Sequence, residues 1–192
     1  MDDILIETVY GIGYRLKPPN QGSQRITDRK QPHLKVLKPE NWSLLVIETL
    51  TGISSYSTLL AIGKHEFERA RRYHSSFSLL ITDTDKDKLI NDTRGQDVTD
   101  KTMEFTAKTI VNCLRRVDRV GRLNSQFAVI LPETPLEGAF KVAERVRSAF
   151  ASQFLTIQDE RLIITPSIGI ATYRDRDSQF EDILGRAEIA LR

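Results

Sequence analysis

Between Phe77 and Asp100 the chain reads FSLLITDTDKDKLINDTRGQDVTD, a stretch dense in oxygen-bearing side chains. Phe77 to Ile81 is a short apolar run with polar residues after it, which predicts a buried strand. Asp83 and Asp85 then fall where that strand leaves its sheet. Carboxylates placed there can hold a hard cation such as magnesium through oxygen ligands. Lys88, Asn91 and Asp92 follow, Gly95 breaks the path, and Asp100 stands at the start of a predicted helix. Asn91 offers a donor and an acceptor, and Asp100 two acceptors, which suits both to a nucleobase edge. The plainer role for Asn91 and Asp100 is turn and helix-cap chemistry.

The spacing D-x-D-x-x-K-x-x-N-D-x-x-G-x-x-x-x-D resembles the first half of a GGDEF domain, the diguanylate cyclase family. The likeness runs over residues 48–192. Glu48-Thr49-Leu50-Thr51-Gly52 resembles the family's D-x-L-T-G, and Ser167-Ile168-Gly169-Ile170-Ala171 its S-I-G-I-A strand. The resemblance implies an α/β fold of the α+β kind. This is a ferredoxin-like palm of the nucleotide-cyclase type, with a mostly antiparallel central sheet flanked by helices. It also implies joining of two GTP molecules into cyclic di-GMP by a homodimer with facing sites. A metal pair would activate the 3′-hydroxyl there. On matching positions, Asp83 is the first metal ligand, Asn91 and Asp100 read guanine, and Lys88 belongs to the loop around the phosphates.

The signature itself departs from the family. Between Arg122 and Phe127 stand four residues, Leu123-Asn124-Ser125-Gln126, where the family has five. Neither glycine nor either acid is present. Asn124 and Ser125 can still form a tight turn, since asparagine tolerates positive φ. Without an acid to promote deprotonation the reaction slows by about 10²–10⁴-fold. Magnesium keeps at most a weak hold through Asp83. Asp87 stands for a usual phenylalanine, and Gln96 and Thr99 for a usual histidine and glycine. The lysine that the family carries beyond Ala187-Glu188-Ile189-Ala190-Leu191-Arg192 lies past the end of this sequence.

Arg115-Arg116-Val117-Asp118 matches the family's R-x-x-D inhibitory pattern, five residues before the signature. The resemblance implies that Arg115 grips phosphate or stacks on guanine while Asp118 reads the base of cyclic di-GMP. A surface ion pair of little energetic weight is the plain alternative. The expected function is therefore a catalytically inactive signalling module that binds cyclic di-GMP or GTP, or acts through a protein partner or homodimer. An active cyclase and a truncated DNA-binding response regulator are the alternatives.

Composition sets outer bounds. The 192 residues are 40% hydrophobic and 28% charged. That allows one core of about 100–150 residues plus an appendage. The formal net charge of +2 is too small to imply nucleic acid. Cys113 is the single cysteine, so no internal disulfide forms, in keeping with a reducing, cytoplasmic setting. No apolar run reaches the roughly 18 residues needed to span a bilayer. The acidic N-terminus lacks a signal-peptide core. His65 and His74 have no partner at zinc-ligand spacing.

In order, residues 4–16 predict a hairpin bent at Gly11 and Gly13. IETVYGIGYRL resembles the terminal wing of OmpR-type winged-helix response regulators, with Tyr10 in place of a basic residue. The recognition helix that precedes the wing in that family is missing, so residues 1–17 read as a remnant that does not bind DNA alone. They suggest a fragment of a longer regulator or a start at an internal methionine. Residues 18–47 read as a linker, with a short strand at 34–37, and a lead-in helix carrying Trp42. Residues 48–192 form the GGDEF-like domain. Helices are predicted over 56–73, 96–116, 136–150 and 180–192, and strands over 118–121, 127–131, 162–164 and 167–173. Val98, Met103, Phe105, Ile110, Val111, Cys113 and Leu114 are the core candidates of the second helix.

Overall fold

The computed structural model describes residues 6–9, 13–16, 47–48, 50–84, 95–157 and 159–192. The predicted strand at 34–37, most of the lead-in helix, Asp85, Asp87, Lys88, Asn91 and Asp92 lie outside the described residues.

Two strands open the chain, β1 (Ile6–Val9) and β2 (Gly13–Leu16). Helix α1 (Tyr56–Tyr73) starts at Ser55, whose hydroxyl accepts from Thr58 N–H, and stops at His74 in the left-handed region. Strand β3 (Phe77–Thr84) follows, then α2 (Gln96–Asn112). Strands β4 (Arg119–Leu123) and β5 (Gln126–Pro132) make a hairpin that leads to α3 (Leu136–Ala151). A small hairpin of β6 (Leu155–Ile157) and β7 (Glu160–Leu162) stands apart from the main sheet. The chain closes with β8 (Pro166–Thr172) and α4 (Phe180–Leu191), which begins with a reciprocal Gln179–Asp182 capping box.

The main sheet has the order β1-β2-β8-β3-β5-β4, and its strand pairings are antiparallel. The β3-α2-β4-β5-α3-β8 portion is a ferredoxin-like βαββαβ unit. β3 is an inner strand of that unit, between β8 and β5, and is buried along almost all its length, which explains its largely apolar stretch from Phe77 to Ile81. Strand alternation sends Leu80, Phe127, Val129, Leu131, Ile168 and Ile170 to the α2 and α3 face. Leu79, Ile81, Ala128, Ile130 and Ala171 face α1 and α4. At Gly169 helix α4 lies so close to β8 that an added Cβ would stand 2.2 Å from Ala187 O. β2 extends the sheet past β8, with Tyr14 opposite Ile170 and Leu16 opposite Ile168.

Several expectations need correction, among them the strand predicted over 162–164, which lies at Glu160–Leu162 instead. α2 ends at Asn112, not Arg116, because Asp118 Oδ2 accepts from Arg115 N–H at 2.7 Å and fixes a turn instead. Val111 falls on the outer side of the last helical turn and is 44% exposed, so it is no core residue. Strand β6 was not foreseen: it holds three residues, and Asp159 turns the chain to β7 with φ 63°.

Candidate functional site

The site is built where β3, β5 and β8 come to one end of the sheet. Asp83 is next to last in β3, half-buried, with Ser167 of β8 as its Cα partner. Its neighbour Thr82 pairs with Phe127 on the other side, so Gln126, the first residue of β5, falls alongside Asp83. Gln126 Nε2 donates to Asp83 Oδ2 at 2.8 Å. A carboxylate only accepts, so the NH₂ end of the amide faces it.

The hairpin that carries Gln126 closes on the pair Leu123–Gln126, leaving Asn124 and Ser125 as an exposed two-residue turn. Asn124 adopts φ 58°, the left-handed conformation that asparagine accepts more readily than most residues. The turn thus forms without glycine.

Below the turn, Arg122 holds the hairpin to the rest of the molecule. Its Cζ lies 4.8 Å from the Phe127 ring centroid, and Nη1 is 2.9 Å from Met103 Sδ. The lead-in turn docks on the same strand. Ser54 bridges Gly121 in parallel fashion, and Arg122 N–H donates to Ser54 O at 2.9 Å. Thr51 donates its hydroxyl to Glu48 within that turn.

Asp100 is half-buried on α2, and Gln96 Nε2 donates to its Oδ1 at 2.7 Å. Sequence reasoning gave Gln96 no role beyond a replacement. The i, i+4 spacing of amide and carboxylate on one helix face was the signal. The expected partners of Asp100, Asn91 and Lys88, lie outside the described residues.

Arg115 and Asp118 form a separate locus. Arg115 is exposed, and Asp118 is buried at the foot of β4. Asp118 Oδ2 holds the turn, whereas Oδ1 is enclosed with no hydrogen-bond partner among the described residues. Strand β4 separates this turn from the Asn124–Ser125 turn by about 17 Å, at 3.4 Å per residue.

Elsewhere, burial pushes the Glu188 carboxyl up, against the opposing charge of Arg192. Burial also raises the Tyr56 hydroxyl, with Glu188 and Glu181 adding to it. Among the described residues no three His, Cys, Asp or Glu side chains gather as a metal cluster. No helix among them is long and apolar enough to cross a membrane.

Comparison with known proteins agrees with this architecture. The family described as diguanylate cyclase, GGDEF domain, matches residues 46–192. A diguanylate cyclase of Vibrio cholerae is 30% identical over 156 residues, covering 81% of this chain and 48% of its own length. The chain therefore spans about half the length of that relative. The diguanylate cyclase SiaD of Pseudomonas aeruginosa, solved in complex with its activator SiaC, is 32% identical. It superposes with a TM-score of 0.72 over 76% of this chain and 56% of its own. The active GGEEF domain of a Vibrio cholerae diguanylate cyclase gives 32% identity and a TM-score of 0.63, covering 69% of this chain and 85% of that one. With the βαββαβ palm and the matched segment in agreement, the chain belongs to the GGDEF diguanylate cyclase family.

Proposed function

We propose that this chain is a GGDEF-type signalling module that does not make cyclic di-GMP and instead binds it at the Arg115–Asp118 turn. The observation that carries the inactive reading is the Gln126–Asp83 hydrogen bond. Cyclisation of two GTP molecules needs a metal pair to neutralise the triphosphate and activate the 3′-hydroxyl. Magnesium is held by carboxylates, phosphates and water. At the signature position this chain presents a neutral amide whose N–H₂ end is turned to Asp83, so the donor set does not fit a metal pair.

The binding reading is supported by Asp118 Oδ1, a buried acceptor without a hydrogen-bond partner among the described residues, beside the exposed Arg115. A buried oxygen left unpaired costs about 1–3 kcal/mol, and a ligand N–H that reaches it recovers that cost. Arg115, on the same turn, supplies a planar cation for phosphate or for a guanine face. The Gln96–Asp100 bond engages one of the two oxygens that a guanine edge would use, which disfavours GTP at Asp100, Asn91 and Lys88. Strands β1 and β2, within the segment read as a wing remnant, then extend the sheet beside β8 rather than read DNA. The module works in the cytoplasm, as a homodimer or against a protein partner.

Two measurements test this. Incubation with GTP and magnesium, followed by mass detection, is expected to yield no cyclic di-GMP. Product that disappears in Asp83→Ala overturns the inactive reading. Calorimetry is expected to give heat with cyclic di-GMP that Arg115→Ala and Asp118→Asn each abolish. Silence for both cyclic di-GMP and GTP leaves the protein-interaction role alone.

A further inference from the structure

We infer that Gln126 acts as a built-in substitute for a cation: its amide occupies Asp83 and keeps divalent metal out of this end of the sheet, and a single exchange to glutamate would open a metal site there. The inference deepens the inactive reading above and uses the same hydrogen bond, but it concerns the free protein and no nucleotide.

Gln126 Nε2 and Asp83 Oδ2 are 2.8 Å apart, held by strands whose register is fixed on both sides of Asp83. In octahedral magnesium coordination the metal–oxygen distance is about 2.1 Å, so two neighbouring ligand oxygens stand about 3 Å apart. Gln and Glu share the same side-chain shape. Placed on the same rotamer, a glutamate oxygen at position 126 would take the place of Nε2. It and Asp83 Oδ2 would then form one edge of a coordination shell.

Charge decides which partner the pair accepts. In the present chain the amide N–H gives Asp83 a donor, and the arrangement carries one negative charge. A cation approaching Asp83 must displace that donor and gains, among the described residues, a single carboxylate in return. With glutamate the two carboxylates repel each other at this distance, and a divalent ion is the species that relieves the repulsion. The two-residue Asn124–Ser125 turn keeps the positions in register, because its backbone conformation rests on Asn124 and not on residue 126.

The test is a manganese titration of the full chain without nucleotide, read by the electron paramagnetic resonance signal of free manganese and by the thermal unfolding midpoint. Gln126→Glu is expected to bind manganese at least about tenfold more tightly than the unchanged chain and to gain stability with added metal, as any ligand of the folded state alone does. The double change Gln126→Glu with Asp83→Asn is expected to lose that binding. Gln126→Ala, which removes the donor and adds no ligand, gives a second reading and is expected to bind manganese better than the unchanged chain. The inference is overturned if the unchanged chain already binds as tightly as Gln126→Glu through Asp83. It is equally overturned if folded Gln126→Glu, or Gln126→Ala should the former not fold, binds no better than the unchanged chain. Cyclic di-GMP formed by the unchanged chain, with no manganese bound in the absence of nucleotide, would sink the inactive reading and leave this one standing.

Discussion

Arg122 and Glu48 face each other across 3.5 Å, Nε to Oε1, and so join the lead-in turn to the strand that enters the signature hairpin. The pair is partly enclosed, with the two side chains 15% and 32% exposed, and the guanidinium also lies over Phe127. Removing the arginine takes away the ion pair, the cation–π contact and the packing of its stem at once. Arg122→Ala is expected to lower unfolding free energy by about 2 kcal/mol. Glu48→Gln keeps the shape and loses only charge, and about 1 kcal/mol is expected. Urea unfolding followed by circular dichroism reads both. Equal losses for the two variants would mean that the cation–π contact contributes nothing.

Two glycines, one on β8 beneath α4 and one within α4, call for opposite outcomes. At Gly169 a methyl group would stand 2.2 Å from Ala187 O and 2.7 Å from Leu191 N, both backbone atoms of α4. The helix must lift off β8 to admit it, and Gly169→Ala is expected to cost about 3 kcal/mol. At Gly185, inside α4, a methyl group meets nothing within 4 Å among the described residues. Gly185→Ala removes freedom from the unfolded chain and is expected to stabilise by about 0.5–1 kcal/mol. Thermal midpoints measured side by side check the signs, and a stabilising Gly169→Ala would contradict the close approach of α4 to β8.

How far the sequence discloses this molecule depends on how local each feature is. β3, β5 and β8 are apolar runs whose period follows directly from burial on both faces, and α1 and α4 carry their own caps at Ser55 and Gln179. The Asn124 turn is legible for the same reason, since asparagine tolerance of positive φ is a property of one residue. The end of α2 is not. Val111, Leu114 and Val117 continue a helical rhythm past Asn112, and one side-chain-to-backbone bond from Asp118 overrides it. The Gln126–Asp83 contact spans 43 residues and exists only through strand register. No spacing rule reaches that far, so the lack of an acid between Arg122 and Phe127 was visible while the hydrogen bond from Gln126 to Asp83 was not.

Glu188 carries a pH dependence of definite sign. Burial raises its carboxyl above the ordinary range, and the neighbouring Arg192 only partly offsets this. Tyr56 and Lys64 on α1 and Glu181 on α4 belong to the same surroundings. A group whose folded pKa is raised contributes stability that is fully present below its unfolded pKa. That contribution is lost as pH climbs through the folded value. Glu188→Gln should therefore match the unchanged chain at about pH 4 and exceed it at about pH 7. Asp182 acts with the opposite sign. Hydrogen bonds from Ser178 and Gln179 lower its carboxyl, and its contribution disappears as pH falls through the carboxylate range. Asp182→Asn should lose stability near neutrality and converge with the unchanged chain in acid. Urea midpoints across this window separate the two residues, and a Glu188→Gln curve parallel to the unchanged one would contradict the assignment.

Asp177 and Arg186 make the most enclosed ion pair among the described residues, with side chains 3% and 13% exposed. Both terminal guanidinium nitrogens, Nη1 and Nη2, donate to the carboxylate, at 2.5 Å and 2.8 Å, and Nη2 also donates to Thr172 O at the end of β8. Arg174 N–H donates to the same carboxylate at 2.8 Å, so the pair closes the β8–α4 connection as well as joining helix to strand. Taking either charge alone leaves the other buried without its partner, and about 3–5 kcal/mol is the usual cost. Asp177→Ala and Arg186→Met are each expected in that range. The double change Asp177→Leu with Arg186→Met removes both charges together, and its loss should fall well short of the sum of the single losses. A double-mutant cycle in urea measures this coupling. Strict additivity would mean that the two side chains act independently, and that the β8–α4 connection is held by its backbone bonds and by the packing of Phe180 and Ile183 instead.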